Sequence, residues 1–376
     1  MGASETNSSV RKTKTAPPGE YDVSTSKTDE RIARQDYGES DVYHNVKVDE
    51  LPSYLELKQQ VDAEIARMNW WESYGIDSMI HLGAVVAAVA SFFIMKSDSL
   101  AVCAFGIFVL GCCHHTLAVK GAHLAAHRAA VQSAPLNRLL GYFFSDMCGT
   151  FPSEAGVTIH VKEHHPYTNI IGKGDSSTWK APAVPTYLYL FFAPLIIPVI
   201  TPFVGVALQW GQWLSLLTFL TLASLGLSIN FYLFVYVSGF SFLQAVLLTL
   251  VSRAVLAIPY IHVNVFQHIG LAMYALKDKP KKIYQMSTGV LNLSRNPLLD
   301  FCFGHSIISA HVEHHLFPRL SDQQCLRVKP LVSRYLKEHG MAYNEADYVE
   351  RLGVFMHKYT QLMVQAPPIS HFVGIQ

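Results

Sequence analysis

The chain has 376 residues, 50% of them hydrophobic and only 15% charged, with a formal net charge of +1. Charged residues make up about 25% of a typical soluble domain, so these values exclude an ordinary water-soluble enzyme of this length. A net charge so near zero also provides no global field for nucleic acid.

The first fifty residues are polar, rich in Ser, Thr, Lys and Asp, and lack the apolar run of a cleaved signal peptide. They are expected to form a disordered tail over residues 1–50, which leaves membrane insertion to internal segments. The start, MGASET, fits the loose N-myristoylation pattern with Gly2 as acceptor and Thr6 in place. A lipid there would be redundant in a protein that spans a membrane several times.

Residues 52–75 pattern as a short amphipathic helix carrying Leu55, Leu57, Val61, Ile65 and Met68, and Trp70 and Trp71 suit a membrane interface. Ile80–Met95 is a first apolar run, short against the roughly 20 residues a span needs. After the polar turn Lys96–Ser99, Leu100–Val119 is a second run of full length. Residues 120–183 are polar enough to leave the bilayer core, with 139–151 as a short interfacial or core helix. From Val184 to Val263 the chain is apolar again. Pro185, Pro194, Pro198 and Pro202 interrupt its first part. Trp213–Val237 is a clean span, and Phe242–Tyr260 is interrupted by Arg253. Beyond residue 264 the character is soluble. The expected division is a membrane domain over 51–335 and a cytosolic segment over 336–376. Basic residues after the first hairpin and at Lys277–Lys282 place both loops in the cytosol by the positive-inside rule. An even number of crossings must separate them, and Arg253 marks Phe242–Tyr260 as the stretch expected not to cross. The fold class that follows is an all-α integral membrane protein of about four transmembrane helices.

Six cysteines form no CxxC pair and read as reduced, buried thiols. The anomaly is histidine. Among eighteen, eight fall in three clusters: HLAAH with His123 and His127, HVKEHH with His160, His164 and His165, and HVEHH with His311, His314 and His315. Each cluster contains an i, i+3 or i, i+4 pair, which a helix places on one face so that two imidazoles reach one ion. The adjacent third histidine is turned by roughly 100° and can reach a neighbouring ion. His268 adds a ninth candidate, four residues after Asn264, which could hold a metal-bound water. Imidazole suits iron, zinc, copper and nickel. Eight imidazoles with no cysteine pattern exceed what one structural zinc needs, and an oxygen-activating pair of iron ions accounts for them most simply. Outside the pattern, His114 and His115 at the end of the second span could lie at the interface or support the ligands from behind, as could His305 six residues before His311, whereas His262 should face elsewhere.

These clusters, in this order around two membrane blocks, resemble the histidine boxes of the membrane fatty acid desaturase superfamily. The likeness continues through HVKEHHPYTNIIGKGDSSTW and HVEHHLFP, spans about residues 70–335, and is nearest to one animal group of that superfamily. It implies four transmembrane helices under a cytosolic helical cap that holds a di-iron centre, with His268 as an extra ligand and Asn264 acting through water. The implied activity is O2-dependent insertion of a double bond into an acyl chain carried on CoA or a lipid, in the endoplasmic reticulum membrane. The third box opens with His311 where front-end desaturases carry Gln, and no His-Pro-Gly-Gly haem motif is present. Electrons are therefore expected from a separate cytochrome b5 and its NADH reductase. Glu163, Asp175 and Glu313 are candidates to orient imidazoles through their distal N–H groups, and Trp179 to line an acyl tunnel. Lys173, Lys180 and the Lys277–Lys282 run suit either an acyl-CoA phosphate or a plain positive-inside loop. A hydroxylase on the same scaffold and a non-catalytic metal-binding membrane protein are the competing readings.

Overall fold

The computed structural model describes residues 51–170, 173, 184–274 and 276–363. Gly2, Asp175, Trp179 and Lys180 lie outside the described residues.

Helix α1 (Tyr54–Ile65) starts where the Ser53 side chain accepts from the Glu56 N–H, and it buries Leu57 and Val61 one turn apart. Burying each of these side chains stabilises by about 1.5–3 kcal/mol. The first apolar run extends toward its N-terminus into α2 (Trp71–Ile94), and the second runs on into the first histidine cluster as α3 (Leu100–Ala126). The chain then forms α4, Ala134–Gly141 continued as the π-helical Tyr142–Cys148, capped by Ser133. Next comes α5, Ser153–Gly156 continued as the π-helical Val157–His164. Three further long apolar helices follow: α6 (Leu188–Leu208), α7 (Trp213–Val237) and α8 (Phe242–Phe266).

Five helices are therefore long and apolar enough to cross a membrane, and the packing selects four. α2 begins beside the histidine clusters, where the Ser73 carbonyl accepts from Ser321, and ends where the Phe92 carbonyl accepts from Ser238 at the end of α7. α7 thus runs away from the histidines. α8 returns toward them, tied to α7 by Asn230 Nδ2 donating to Thr249 Oγ1 at 2.8 Å. Both ends of α6 stay on the histidine side. The Tyr189 ring packs at a tilt against Tyr359, centroids 5.4 Å apart, and a Cβ on Gly205 would meet Pro152, which lies just before α5. Within α6 the π, 3-10 and α geometries succeed one another around Pro194 and Pro198. This packing fits two crossings between the second and third clusters, by α7 and α8, with α6 staying on the histidine side.

That corrects the expectation for Phe242–Tyr260, and the reason is local. Arg253 Nη1 donates to Thr150 Oγ1 at 2.9 Å and Nη2 to the Cys148 carbonyl at 3.3 Å. α4 dips into the bundle and presents its C-terminal end to the guanidinium, where the helix dipole is negative.

The remaining chain caps the histidine side. Of α9 (Lys282–Gly289), α10 (Pro297–Phe303), α11 (His311–Leu316) and α12 (Asp322–Glu338), all but α10 pack with α1 around Leu57, Val61, Ile283, Met286, Val312, Val328 and Val332, whereas α10 joins the core of α8 through Leu299, Cys302 and Phe303. β1 (Leu291–Leu293) pairs in parallel with β2 (Asn344–Ala346), and α13 (Tyr348–Met363) closes the chain against α8. The expected boundary at residue 335 falls inside α12, and α13 belongs to the same core. From α13, Arg351 donates to the Phe266 carbonyl at 3.0 Å and the Ile269 carbonyl at 2.6 Å, which satisfies the end of α8.

The two-crossing path is checked with an impermeant thiol reagent on sealed vesicles. Gln132→Cys and Gln212→Cys are expected to react from the same side, and Ser97→Cys from the other. Labelling of Gln212→Cys together with Ser97→Cys would put α6 across the bilayer. Arg351→Ala leaves two buried carbonyls unsatisfied and is expected to cost about 1–3 kcal/mol of stability, read as a lowered thermal midpoint in detergent.

Candidate metal centre

All nine expected histidines converge at one end of the bundle. His123, His127, His160, His165 and His314 each offer a nitrogen within 4.8 Å of the others, and His164, His268 and His315 form a second such group. His311 joins the second group, its Nε2 lying 2.9 Å from His268 Nε2. In the first group His123 Nε2 is 3.0 Å from His314 Nε2, His314 Nε2 is 3.1 Å from His165 Nε2, and His165 Nε2 is 3.3 Å from His160 Nε2. Two ligands at right angles on one ion, with bonds of about 2.1 Å, stand about 3 Å apart. The spacing is that of a coordination shell.

The partition differs from simple helix periodicity. α5 is π-helical here, and the His165 N–H donates to the His160 carbonyl five residues back. His160 therefore shares a group with His165, while His164 faces the other group. In α11 the ordinary α spacing pairs His311 with His315, ring centroids 4.5 Å apart, and sends His314 to the first group.

What aims the rings is not what the sequence suggested. His311 Nδ1 lies 2.9 Å from the Ser306 carbonyl and His268 Nδ1 lies 3.4 Å from the Gly289 carbonyl. A carbonyl only accepts, so both protons sit on Nδ1 and both Nε2 atoms present lone pairs to each other. His315 Nδ1 lies 3.1 Å from Thr168 Oγ1, whose hydroxyl donates to the His164 carbonyl at 2.8 Å. His123 Nδ1 lies 3.3 Å from Ser306 Oγ, whose own proton goes to Asp322 Oδ1. Asp322 also pairs with Lys120 at 3.1 Å, and Lys120 with Asp77 at 3.0 Å, which ties α2, α3 and the cap together behind His123. Burial pushes the Asp322 carboxyl up, but the Lys120 ammonium and the Ser306 donors outweigh it and hold it down to about 2. Gly304, at φ 96°, makes room for this, since a Cβ there would sit 2.4 Å from Asp322 Oδ2.

The expected carboxylates do otherwise. Glu313 is buried but accepts from Tyr343 OH at 2.7 Å and Asn292 Nδ2 at 3.1 Å, and no imidazole reaches it. Burial pushes its carboxyl up to about 7 against those donors. Glu163 is exposed and makes no hydrogen bond to a histidine among the described residues. Short hydroxyls and backbone carbonyls reach the rings because three segments cross within hydrogen-bond distance, whereas Glu163 projects outward from α5. Asn169, at φ 54°, donates to the carbonyls of His268, Ala272 and Gly289 and so fixes the loop after α8. Thr168 and Asn169 follow the second cluster directly and were open to recognition as its support. Nothing in the sequence singles out Ser306 or Asp322. Lys282 is committed to the Leu316 carbonyl at 2.7 Å, and His262 faces Tyr348 and Leu190, away from the rings. His305 pairs with Asp300 at 3.3 Å.

Burial pushes His127, His160, His165, His268, His314 and His315 well below the ordinary imidazole value, and His311 to about 3. The rings are neutral at physiological pH, as metal ligands must be. Both nitrogens of His127, and His315 Nε2, have no hydrogen-bond partner in the buried site. Neutral, buried, facing lone pairs are costly unless a cation lies between them, so the donor set fits a pair of metal ions. A cavity of about 1430 Å³ opens onto His123, His160, His164, His268 and His311 and is lined by Asn264. The Asn264 side chain donates to the Tyr260 carbonyl at 2.7 Å.

Ser306→Ala removes the acceptor at His123 Nδ1 while leaving the fold. It is expected to weaken metal binding by about tenfold, read by metal titration, with the thermal midpoint of the metal-free protein little changed.

Comparison with known proteins agrees with this geometry. A family model described as fatty acid desaturase matches residues 98–347, a stretch that contains all nine histidines. The chain is 48% identical to fatty acid desaturase 6 of Bos taurus over 323 residues, covering 85% of this chain and 94% of that protein. It is 46% identical to the Homo sapiens protein of the same name over 322 residues, covering 85% and 90%. An acyl-lipid (9-3)-desaturase of Borago officinalis is 26% identical over 104 residues, 27% of this chain. With the two histidine groups inside the matched region and the likeness carried over most of both chains, this protein belongs to the fatty acid desaturase family.

Proposed function

We propose that this membrane fatty acyl desaturase works with two iron ions and O2. His123, His127, His160, His165 and His314 would hold one ion, and His164, His268, His311 and His315 the other, with Asn264 reaching the second through water. The observation that carries this reading is the facing of Nε2 lone pairs at about 3 Å in both groups. A redox-active pair of irons would supply the oxidising power that removing two hydrogens from an unactivated methylene pair demands and no side chain possesses.

The chain's own residues do the rest. Ser306, Thr168 and the Gly289 carbonyl hold the protons of four rings, His123, His268, His311 and His315, on Nδ1, so that the Nε2 lone pairs of these four point inward before a metal arrives. The cavity brings an acyl chain beside the rings, and α6 walls it with Ile197 and Pro198, which excludes water from the reacting carbons. The acyl carrier is CoA or a membrane lipid. Basic residues flanking the histidine side support a cytosolic site in the endoplasmic reticulum membrane, where cytochrome b5 and its NADH reductase would deliver electrons.

Expression with cytochrome b5 in a host lacking its own desaturases, followed by lipid mass spectrometry, tests the reaction. Acyl species lighter by two hydrogens are expected. Species heavier by one oxygen would make the protein a hydroxylase on the same scaffold, and neither product would leave a metal-binding protein without this activity. Purified protein is expected to hold about two irons per chain, and His315→Ala about one, because the three remaining histidines of that group grip an ion less tightly.

A further inference from the structure

The cavity beside the rings does not end in hydrocarbon. It follows α8 past Asn264, Tyr260 and Ala257 to Arg253. Arg253 lies fifteen residues before His268, on the order of 20 Å along a helix, and so sits deep in the bundle. Its guanidinium carries five donors, of which the structure uses those to Thr150 Oγ1 and the Cys148 carbonyl. Both acceptors are neutral, and no carboxylate pairs with Arg253 among the described residues. The side chain nevertheless keeps accessible surface at this depth, because it lines the cavity.

Other polar groups line the same cavity: the His114 and His115 rings, and nearer the metal centre Tyr260, whose ring packs on His115 and Phe303. His115 Nδ1 is held by the Gly111 carbonyl at 2.9 Å, which leaves its Nε2 free to accept. Past Arg253 and His114 a second cavity of about 240 Å³ opens, walled mostly by apolar side chains such as Phe92, Leu110, Phe143 and Leu233. Space for a plain hydrocarbon tail therefore exists, yet a cation stands in front of it. A methyl-ended chain reaching Arg253 would leave the guanidinium's charge and its remaining donors to Thr150 and Cys148 alone, which is costly away from water.

We propose that the cavity takes a long-chain acyl substrate bearing a second, anionic end, an ω-carboxylate, and that Arg253 binds that end while the activated end stays at the histidine side. The planar guanidinium fork matches a carboxylate with two parallel hydrogen bonds, and its neutral partners on α4 leave its charge to the ligand. This inference rests on the reading of the cavity as the acyl site.

The test is competition binding to the purified full-length protein in nanodiscs, with a long-chain acyl-CoA and its ω-hydroxy and ω-carboxy counterparts as probes. The ω-carboxy probe is expected to bind at least about tenfold more tightly than the methyl-ended one, with the ω-hydroxy probe between them. Arg253→Gln should erase that order without lowering the affinity for the methyl-ended probe or the metal content. Arg253→Lys keeps a charge for Thr150 and Cys148 but loses the fork, and should retain only part of the preference, which covers the case of a poorly folding Gln variant. Equal affinities for the three probes in the parent protein, or an equal loss across all three in Arg253→Gln, would overturn the proposal. Binding is read without turnover. A persisting ω-carboxy preference in a protein that forms no double bond would remove the desaturation reading and keep the subsite, whereas desaturation indifferent to the ω end would do the reverse.

Discussion

Two imidazole nitrogens whose protons are both held elsewhere repel each other at 2.9 Å, and His268 and His311 are in that position. The whole histidine end of the molecule is organised by this tension. Four of the rings are fixed by an acceptor on a different part of the chain: Ser306 before α11 for His123 and His311, Gly289 at the end of α9 for His268, Thr168 after α5 for His315. Ser306 and Gly289 reach their rings only once the cap has folded over the bundle. Folding the cap and forming the site are thus one event, and the free energy of metal binding is also free energy of folding.

Two buried cations show how differently the bundle treats charge. Lys120 lies between Asp77 on α2 and Asp322 on α12, a buried set of three charges joined to His123 through Ser306. Such a cluster adds little net stability, but removing one member strands the others. It acts as a register device, since α2, α3 and the cap meet only in the arrangement that completes it. Arg253 has no such set. It leans on the C-terminal end of α4, a hydroxyl and a carbonyl, which offset part of its desolvation while leaving the guanidinium able to take an anion. One cation is consumed by the architecture and the other remains available to a ligand.

The sequence disclosed the membrane segments by length and apolarity and the metal centre by histidine spacing, because both signals are local. The nine rings named from the sequence are those that meet. Signals that depend on a distant partner did not show. Arg253 looked prohibitive in a span until α4 supplied its acceptors, so the non-crossing segment was assigned to α8 and not α6. Glu313 beside two histidines looked like their support, yet it holds Asn292 and Tyr343 to brace α11. Ser306, the residue that touches His123 and carries the carbonyl for His311, has no local pattern at all. Asp175 and Trp179 lie outside the described residues.

The two adjacent-histidine boxes differ by one residue, H-x3-HH against H-x2-HH, and still deliver their last two rings to opposite groups. The π-helical turn of α5 reconciles them. With hydrogen bonds closing five residues apart, the extra residue is absorbed within the turn, and His160 stands over His165 as His311 stands over His315 in the ordinary α geometry of α11. A π turn has poorer packing than an α turn and persists only where its surroundings hold it. Directly after this turn the Thr168 hydroxyl reaches both the His164 and His165 carbonyls, at 2.8 and 3.2 Å, and meets His315 Nδ1 on the other side. One threonine therefore ties the end of the second box to the orientation of a ring in the third, linking backbone that carries one histidine of each group.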